Sequence, residues 1–272
     1  MIRSSDQILE ASAAWVSPWF PPKSVHVDMG WLEFYVVDGA ATVMRVLPED
    51  MAGAELVDRV LAELQNQGVT EAFWTVGPMS SPENVDQVLL DLGARVHGTI
   101  DIRACPLPRA LPDDQLPHAA TAPPVCTRED VAEFERVNAL AWGYPQPSVA
   151  DVDKTFASLT EGSFIGYWND TPAGAGGYTL AGEVARLWGA AVVPAFRRRG
   201  VYRTLVRARL AEAMSRGATL ALVHANDQTS SLQRLGFQVH GHQRVLAFRP
   251  GAARFLPHRH VERLRRDPGD NS

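Results

Sequence analysis

The spacing of apolar residues predicts that helices and strands follow one another along the whole chain. Apolar side chains fall on one side of a helix over residues 51–66 and again over residues 200–215. Strand-like runs lie between the helical segments, and turns such as Asp38-Gly39 separate some of them. The predicted helices are 6–15, 51–66, 82–91, 128–141, 149–160, 200–215 and 229–235, and the predicted strands are 31–37, 41–47, 71–76, 94–104, 164–168, 174–181, 184–193, 218–225 and 237–248. This order predicts an α/β fold.

Two blocks of sequence occur twice in the same order. LVDRVLAELQNQGVT at 56–70 aligns with LVRARLAEAMSRGAT at 205–219, and LLDLGARVHG at 89–98 aligns with LQRLGFQVHG at 232–241. We interpret the chain as a tandem duplication.

The repeat predicts two domains with a linker between them. The predicted domains are residues 1–105 and 125–249, with a basic tail at 250–272. Residues 106–124 contain six prolines, which exclude a helix or a central strand, and we interpret them as an interdomain linker.

The clearest chemical signal is a loop that joins an apolar strand to the helix at 200–215. It contains Arg197-Arg198-Arg199-Gly200. The first N–H groups of a helix have no internal partner, and together with the helix dipole and the arginines they suit a phosphate. In the first half the aligned residues are Pro48-Glu49-Asp50-Met51, whose carboxylates repel a phosphate. We therefore expect one ligand site, in the second half, and a degenerate first half.

Composition narrows the class of protein. Of 272 residues, 46% are hydrophobic and 21% are charged, as in ordinary soluble proteins. The net charge of −5 argues against a general nucleic-acid binder. We interpret Cys105 and Cys126 as thiols in a reducing compartment. The first residues do not resemble a signal peptide, and no apolar run approaches the roughly 20 residues that cross a bilayer. We expect a cytoplasmic protein without nucleic-acid or membrane partners.

The second half of the chain, which contains this loop, resembles the GNAT superfamily of acyl-CoA-dependent N-acetyltransferases. Arg197-x-x-Gly200-x-Tyr202 is similar to the family's Arg/Gln-x-x-Gly-x-Gly/Ala loop, although Tyr202 replaces a small residue. Asn226 and the ending Leu235-Gly236-Phe237 match the next family signatures. The resemblance covers about residues 125–248, with a weaker copy at 30–105. It implies two tandem units, each with a mixed, mostly antiparallel sheet flanked by helices.

The resemblance implies that acetyl-CoA binds the second half as a cosubstrate and that no metal is needed. The backbone of Ala191, Val192 and Val193 would pair with the amides of pantetheine. The backbone N–H groups of Arg198–Arg203, with Val201 and Tyr202 close to the phosphates, would hold the pyrophosphate.

Four side chains near this implied site have two interpretations each. Arg197 or Arg199 lies near the 3′-phosphate or in solvent. Tyr202 points away from the phosphates or lies along the cofactor. Asn226 is a partner of pantetheine or an ordinary turn residue.

The residues that transfer protons are harder to assign. Acetyl transfer needs a neutral amine, a donor for the thioester oxygen and stabilisation of the leaving thiolate. A backbone N–H near Val192 is the expected donor. Many GNATs carry a tyrosine where this chain has Leu232. The strand before Asn226 carries no carboxylate, and its titratable residue, His224, is either a base or a packed histidine.

Two tyrosines are further candidates for the catalytic site. Tyr144, with Trp142, lies where GNATs shape the acceptor site, and these aromatic residues either line that pocket or pack on the core. Tyr178 is either an acid or a core residue.

His258-x-His260 lacks an obvious third metal ligand, and the arginines of the tail suit a solvated segment better than an RNA-binding one.

The function expected from these residues is N-acetylation of an amine by the second half of a monomer or homodimer. Small molecules such as antibiotics, polyamines, amino sugars or amino acids rank above proteins as acceptors. The alternatives are a protein N-acetyltransferase and a non-catalytic acyl-CoA-binding or regulatory protein.

Overall fold

The structure is a computed structural model that describes residues 4–17, 20–47, 50–107, 116–158, 162–226 and 230–252. Its helices are α1 (Ser5–Ala13), α2 (Gly53–Asn66), α3 (Val85–Asp91), α4 (Arg128–Trp142), α5 (Val149–Ala157), α6 (Val201–Ser215) and α7 (Ser230–Arg234). Its strands are β1 (Val25–Asp28), β2 (Leu32–Val37), β3 (Ala40–Val46), β4 (Glu71–Val76), β5 (Arg95–Pro106), β6 (Ala120–Thr121), β7 (Ser163–Trp168), β8 (Thr171–Ala181), β9 (Val184–Val192), β10 (Leu220–Asn226) and β11 (Gln238–Phe248).

The chain divides into two compact units whose boundaries differ from the predicted domains. Unit 1 consists of residues 1–26, 77–79 and 99–244, and unit 2 consists of residues 27–76, 80–98 and 245–272. The first helix and the end of β5 therefore belong with the second half of the chain. The physical reason is strand pairing, because β5 lies antiparallel to β10 from residue 100 to residue 106.

The described part of the predicted linker also lies in unit 1. Ala120 and Thr121 form β6, which pairs with β7 at the edge of the sheet. An edge strand is compatible with the surrounding prolines, which are excluded from central strands.

The sheet of unit 1 is mixed and mostly antiparallel. Its order is β11–β5–β10–β9–β8–β7–β6, and β9 pairs in parallel with β10. Helix α6 packs on the face that carries Leu187 and Val223. Helices α4 and α5 pack with Trp188 and other residues of the opposite face, since neighbouring residues of a strand face opposite sides. A capping box of Thr127 and Asp130 begins α4.

Unit 2 repeats this plan on a smaller scale. Strands β2 and β3 form an antiparallel hairpin, and β3 pairs in parallel with β4. Helices α2 and α3 pack against this sheet, together with residues 246 and 248 of β11.

The parallel pairs confirm the repeat in three dimensions. Val184–Leu187 pairs with Leu220–Val223 in unit 1, and Ala40–Val43 pairs with Glu71–Trp74 in unit 2. Leu220 follows Glu71 by 149 residues (220 − 71), the offset that also relates the aligned helices. The two halves therefore share one arrangement of strand, helix and strand.

Candidate acetyl-CoA and acceptor site

The candidate site lies where β9 and β10 separate. The two strands pair over four residues and their pairing ends at Leu187 and Val223. Beyond this point β9 stays paired with β8 as far as Val192, and β10 stays paired with β5 as far as Asn226. An opening therefore lies between residues 188–192 of β9 and residues 224–226 of β10. We call this opening the wedge.

A bulge bends β9 at the wedge. Gly177 faces Trp188 and Ala175 faces Ala191, so two residues of β9 lie opposite the single residue 176 of β8. One of the two is Gly189, whose φ of 64° is in the left-handed region that favours glycine. The residues around the bulge are small, with AGAGG at 173–177 and GAA at 189–191. Such residues let another backbone approach closely.

The edge of β9 presents the backbone of Val192 to the wedge. The N–H of Val193 donates to the carbonyl of Ala173 on β8 at 2.8 Å. Backbone groups alternate in direction along a strand, so Ala191 also faces β8 and Val192 faces the wedge. The backbone of Val192 therefore faces the wedge, and its role as pantetheine partner and oxyanion donor stays a prediction. The expectations for Ala191 and Val193 are corrected, because their backbone groups are directed at β8.

The loop before α6 has the backbone of an anion site. Gly200 precedes the helix with a φ of 86°, and Arg198 has a φ of 62°. Left-handed residues beside a helix start gather N–H groups into a concave surface. No side chain among the described residues caps α6, and its first backbone bond is donated by Thr204 to Gly200. Glycine is also required by space, because a Cβ at 200 would lie 2.8 Å from a carbon of Pro117.

Side chains around the loop contact neighbouring residues of unit 1. The Arg199 guanidinium lies 5.6 Å from the ring centre of Trp168 and 5.7 Å from that of Phe196. Arg197 Nε donates to the carbonyl of Val192 at 3.2 Å. Tyr202 packs against the core below α6. This supports the first interpretation of Tyr202, in which its ring points away from the phosphates.

A cavity of about 200 Å³ lies beside the bulge. Its lining consists of Asn138, Trp142, Tyr144, Trp188 and Gly189. The two aromatic residues that the sequence singled out, Trp142 at the end of α4 and Tyr144 in the loop after it, therefore line a pocket next to β9. The structure supports the pocket interpretation over packing on the core.

The wedge and the loop agree with the comparison of the sequence with known families. A model of the acetyltransferase (GNAT) family matches residues 128–237. These residues are a GNAT acetyltransferase domain. The domain runs from α4 through the wedge and the loop to Phe237, and a GNAT fold generally binds acetyl-CoA and supports acetyl transfer.

Solved structures share the fold over nearly the whole chain. A tandem GNAT protein from the clavulanic acid biosynthesis pathway is 13% identical, with a TM-score of 0.62 over 91% of this chain and 94% of that chain. GCN5-related N-acetyltransferases from Sphaerobacter thermophilus and Kribbella flavida are 14% and 19% identical. Their TM-scores are 0.63, over 91% of this chain and 86% of that chain, and 0.58, over 82% and 89%. No curated protein matches the sequence.

His224 of the GNAT domain is a packed histidine. It is the first residue of β10 beyond the paired segment, and its Nε2 lies 2.6 Å from Ser12 Oγ. The ring of Trp15 packs edge-on at 5.0 Å. Burial, with the charge of Arg186, lowers the pKa of His224 to about 4. A neutral histidine with this pKa is a weak base at pH 7, so the geometry favours packing over general-base catalysis.

The N-terminal helix covers this face of unit 1, which the sequence did not predict. Arg186 on β9 donates to the carbonyls of Ala11 at 2.8 Å and Ala14 at 3.5 Å. These carbonyls lie at the end of α1, where a cation stabilises the helix dipole. Ile8 of α1 packs with Leu222 of β10. Ser12 of α1 and Trp15 just after it therefore contact the side chain of His224.

Tyr178 lies in the core, which corrects its expected role as an acid. It is 1% exposed, and its hydroxyl lies 3.1 Å from Glu212 Oε1 and accepts from Arg216 at 3.5 Å. Glu212 and Gly200 are twelve residues apart (212 − 200), which is about 18 Å along a helix. The hydroxyl is thus at the opposite end of α6 from the loop.

A buried arginine supports the bulge and was missed from the sequence. Arg209 on α6 is 1% exposed, and its Nη1 donates to the carbonyls of Gly177 at 3.0 Å and Trp188 at 3.3 Å. Burial lowers its pKa to about 10, so it stays charged at pH 7. Its spacing from Leu205 and Ala213 places a charge on the apolar side of α6. That misplaced charge was the signal available in the sequence.

The remaining predicted features concern Asn226, the tail, metal binding and membrane helices. Asn226 ends β10 at the mouth of the wedge and is exposed. Residues 48–49 and the histidines and arginines of the tail lie outside the described residues. The described residues contain no group of three or more possible metal-binding side chains. In the same part of the chain, no helix is long and apolar enough to cross a membrane.

Proposed function

We propose that this protein transfers an acetyl group from acetyl-CoA to the amine of a small molecule at the wedge of unit 1. The observation that carries the proposal is the wedge itself. It combines a strand edge at Val192 with a helix start at Gly200, within the GNAT domain.

The residues present fit acetyl-CoA, which would supply the acetyl thioester. The backbone of Val192 would bind the pantetheine arm as a neighbouring strand does. The N–H groups of the loop, from Arg198 to Arg203, would hold the pyrophosphate at the start of α6. The exposed Arg197 and Arg198 add positive charge there. Asn226, at the end of β10, would reach the pantetheine.

The chain would stabilise the reaction chiefly through its backbone. The N–H of Val192 would donate to the thioester oxygen as negative charge develops on it, and one such donor contributes about 10²- to 10³-fold in rate. The position of the tyrosine found in many GNATs holds Leu232, which is fully buried. His224 is unsuited to take a proton at pH 7. We propose that the amine reacts in its neutral form and loses its proton to water.

The pocket beside the bulge favours a small molecule as the acceptor. Its volume of about 200 Å³ suits a compact amine. The similar tandem GNAT protein from the clavulanic acid biosynthesis pathway belongs to a small-molecule pathway, which supports the same choice here. We propose that unit 2 is a structural copy without a second catalytic site.

A non-catalytic acyl-CoA-binding protein is the second candidate. It is favoured by the burial of Leu232 at the acid position and by the lowered pKa of His224.

Thiol release distinguishes the two functions. The protein is mixed with acetyl-CoA and a library of amines, and free CoA thiol is followed with a thiol reagent. We expect release above the hydrolysis background for at least one amine. Binding of acetyl-CoA without such release for any amine would favour the non-catalytic protein.

A further inference from the structure

We infer that the acceptor is a monoamine with an aromatic or other apolar body, and that Asn138 binds its amino group. This inference rests on the proposed function and specifies its substrate class. The side chains that line the cavity beside the bulge support it.

The cavity lies beside the wedge. Trp188 is the first residue of β9 beyond its parallel pairing with β10, and Gly189 belongs to the bulge. Both residues line the cavity. An amine held here is therefore next to the strand whose Val192 N–H faces the wedge.

Asn138 gives the cavity a hydrogen-bond acceptor. It is 3% exposed, and its Oδ1 is buried without a donor among the described residues. Its neighbours on α4, Val137 and Ala139, are both buried, which fixes its position. A buried polar atom without a partner is costly, and a ligand that donates an N–H would remove that cost. An amino group supplies such a donor.

The rest of the lining is apolar or aromatic. Trp142, Tyr144 and Trp188 form the walls, and Trp188 Nε1 is buried without an acceptor in the described part of the chain. None of the five lining residues carries a charge. A second ammonium or a carboxylate would be buried here without a counter-ion, which is strongly unfavourable. Aromatic faces instead stabilise an apolar body or one cationic amine.

These properties select among the amines that a GNAT domain could use. Polyamines and amino acids bring a second charge, and amino sugars bring several hydroxyls that need partners. A monoamine with an aromatic body donates an N–H to Asn138 Oδ1, and its body packs between the aromatic walls of the cavity. Its nitrogen forms the C–N bond as the C–S bond of the thioester breaks, and the proton it loses reaches the CoA thiolate through water. The products are an N-acetyl amine and free CoA.

The first test compares kcat/KM for 2-phenylethylamine and tryptamine with that for putrescine, glycine and glucosamine at saturating acetyl-CoA. We expect the two aromatic monoamines to exceed each of the others by at least about tenfold. A higher kcat/KM for putrescine, glycine or glucosamine would overturn the inference.

The second test replaces the acceptor atom. Asn138→Leu keeps the approximate shape and removes Oδ1, so kcat/KM for 2-phenylethylamine should fall by about 10- to 100-fold. The Kd for acetyl-CoA should stay within about twofold of wild type. Asn66→Leu, at an exposed position at the end of α2, is the matched control and should change neither value. An unchanged kcat/KM in Asn138→Leu would overturn the role of Asn138.

A surface variant keeps the inference testable if Asn138→Leu does not fold. Trp142 is 51% exposed, so Trp142→Ala has little effect on the core. It should raise the KM for 2-phenylethylamine by about tenfold, with a smaller change for glucosamine. Equal changes for both amines would overturn the aromatic wall as the selector.

The failure of this inference is distinct from the failure of the proposed function. Turnover of other amines, with aromatic monoamines inactive, would end the inference and leave acetyl transfer standing. Absence of thiol release with every amine would overturn the proposed function and the inference together.

Discussion

The β8–β9 hairpin of unit 1 and the β2–β3 hairpin of unit 2 both contain a bulge but differ in the side chains around it. In unit 1, hairpin β8–β9 contains a bulge at Gly189 and is lined by glycine and alanine. In unit 2, hairpin β2–β3 also has a register shift, where Met44 is the extra residue between Val43 and Arg45. Arg45 forms an ion pair with Glu33 at 3.1 Å. The comparison shows that the backbone plan alone does not make the site, because small side chains leave the edge of β9 accessible.

The helices that follow these hairpins differ in the same way. Helix α6 follows the left-handed Gly200, whereas α2 follows Ala52, whose backbone is extended. The space beside Gly53, in the first turn of α2, is filled by the side chain of Asn84. The anion site of α6 therefore has no equivalent at the described start of α2.

The buried sides of the two helices also differ at one position. Val60 of α2 aligns with Arg209 of α6, since both repeats have the offset of 149. Val60 is fully buried in an apolar cluster, whereas Arg209 binds the carbonyls beside the bulge. A charge is thus present only in the copy whose bulge offers it partners.

Val60→Arg should have the largest effect on stability, because it introduces into unit 2 the charge that Arg209 carries in unit 1. The guanidinium would be buried in the apolar cluster around Val60, so the free energy of unfolding should fall by about 3–5 kcal/mol. Urea denaturation measures this change. Asp58→Arg, at an exposed position of the same helix, should stay within about 0.5 kcal/mol of wild type. A stable Val60→Arg protein would contradict the comparison.

Gly200→Asp should abolish the anion site. A carboxylate repels phosphate at a helix start, and the left-handed φ and nearby Pro117 oppose any side chain. The Kd for acetyl-CoA should rise at least about 100-fold in calorimetry. Gly217→Asp is a matched control, because Gly217 has a φ of 92° at the other end of α6. Retained affinity in Gly200→Asp, or an equal loss in both variants, would refute the role of the loop.

Much of this loop could be predicted from sequence because its chemistry is local. A glycine between arginines and an amphipathic helix specifies a helix start, and the repeat showed that the other copy lacks it. The capping box at Thr127 is local for the same reason.

Contacts between distant parts of the chain could not be predicted in this way. The contact between His224 and Ser12 spans 212 residues, and neither sequence neighbourhood signals it. The alternation of β8 did not tell which face of the sheet Tyr178 would occupy. The charged Arg209 on an apolar helix side was visible, but its partners come from two other strands.

Arg209→Met should weaken the bulge by removing donors to two carbonyls while filling a similar volume. We expect about 2 kcal/mol less stability in urea denaturation and a roughly tenfold lower kcat/KM. Arg95→Met, at an exposed position, serves as the control and should change neither quantity. Wild-type stability and turnover in Arg209→Met would show that the bulge does not depend on this guanidinium.

His224→Gln should have the smallest effect on stability, and the size of that effect should depend on pH. The counterpart of His224 on β4 is Thr75, which does not titrate in this range. The pKa of His224 is lowered to about 4 in the folded chain, so the unfolded chain binds the proton first as pH falls below its ordinary pKa of 6.5. Stability from this group is therefore present above pH 6.5 and lost towards pH 4.

The pH dependence is measured as the free energy of unfolding at pH 7.5 and pH 5.5. Wild type should lose about 1 kcal/mol more between these values than His224→Gln does. The kcat of the variant above pH 6.5 should stay within about threefold of wild type, because the histidine is not the base. A loss of turnover of 100-fold or more with unchanged stability would restore His224 as a catalytic residue.

We propose that one of the two copies, unit 1, binds acetyl-CoA. Isothermal titration calorimetry of the wild-type chain with acetyl-CoA tests it most directly, through the number of sites. We expect one molecule of acetyl-CoA per chain. Two molecules per chain, or no binding at all, would contradict the assignment of the site to the wedge of unit 1.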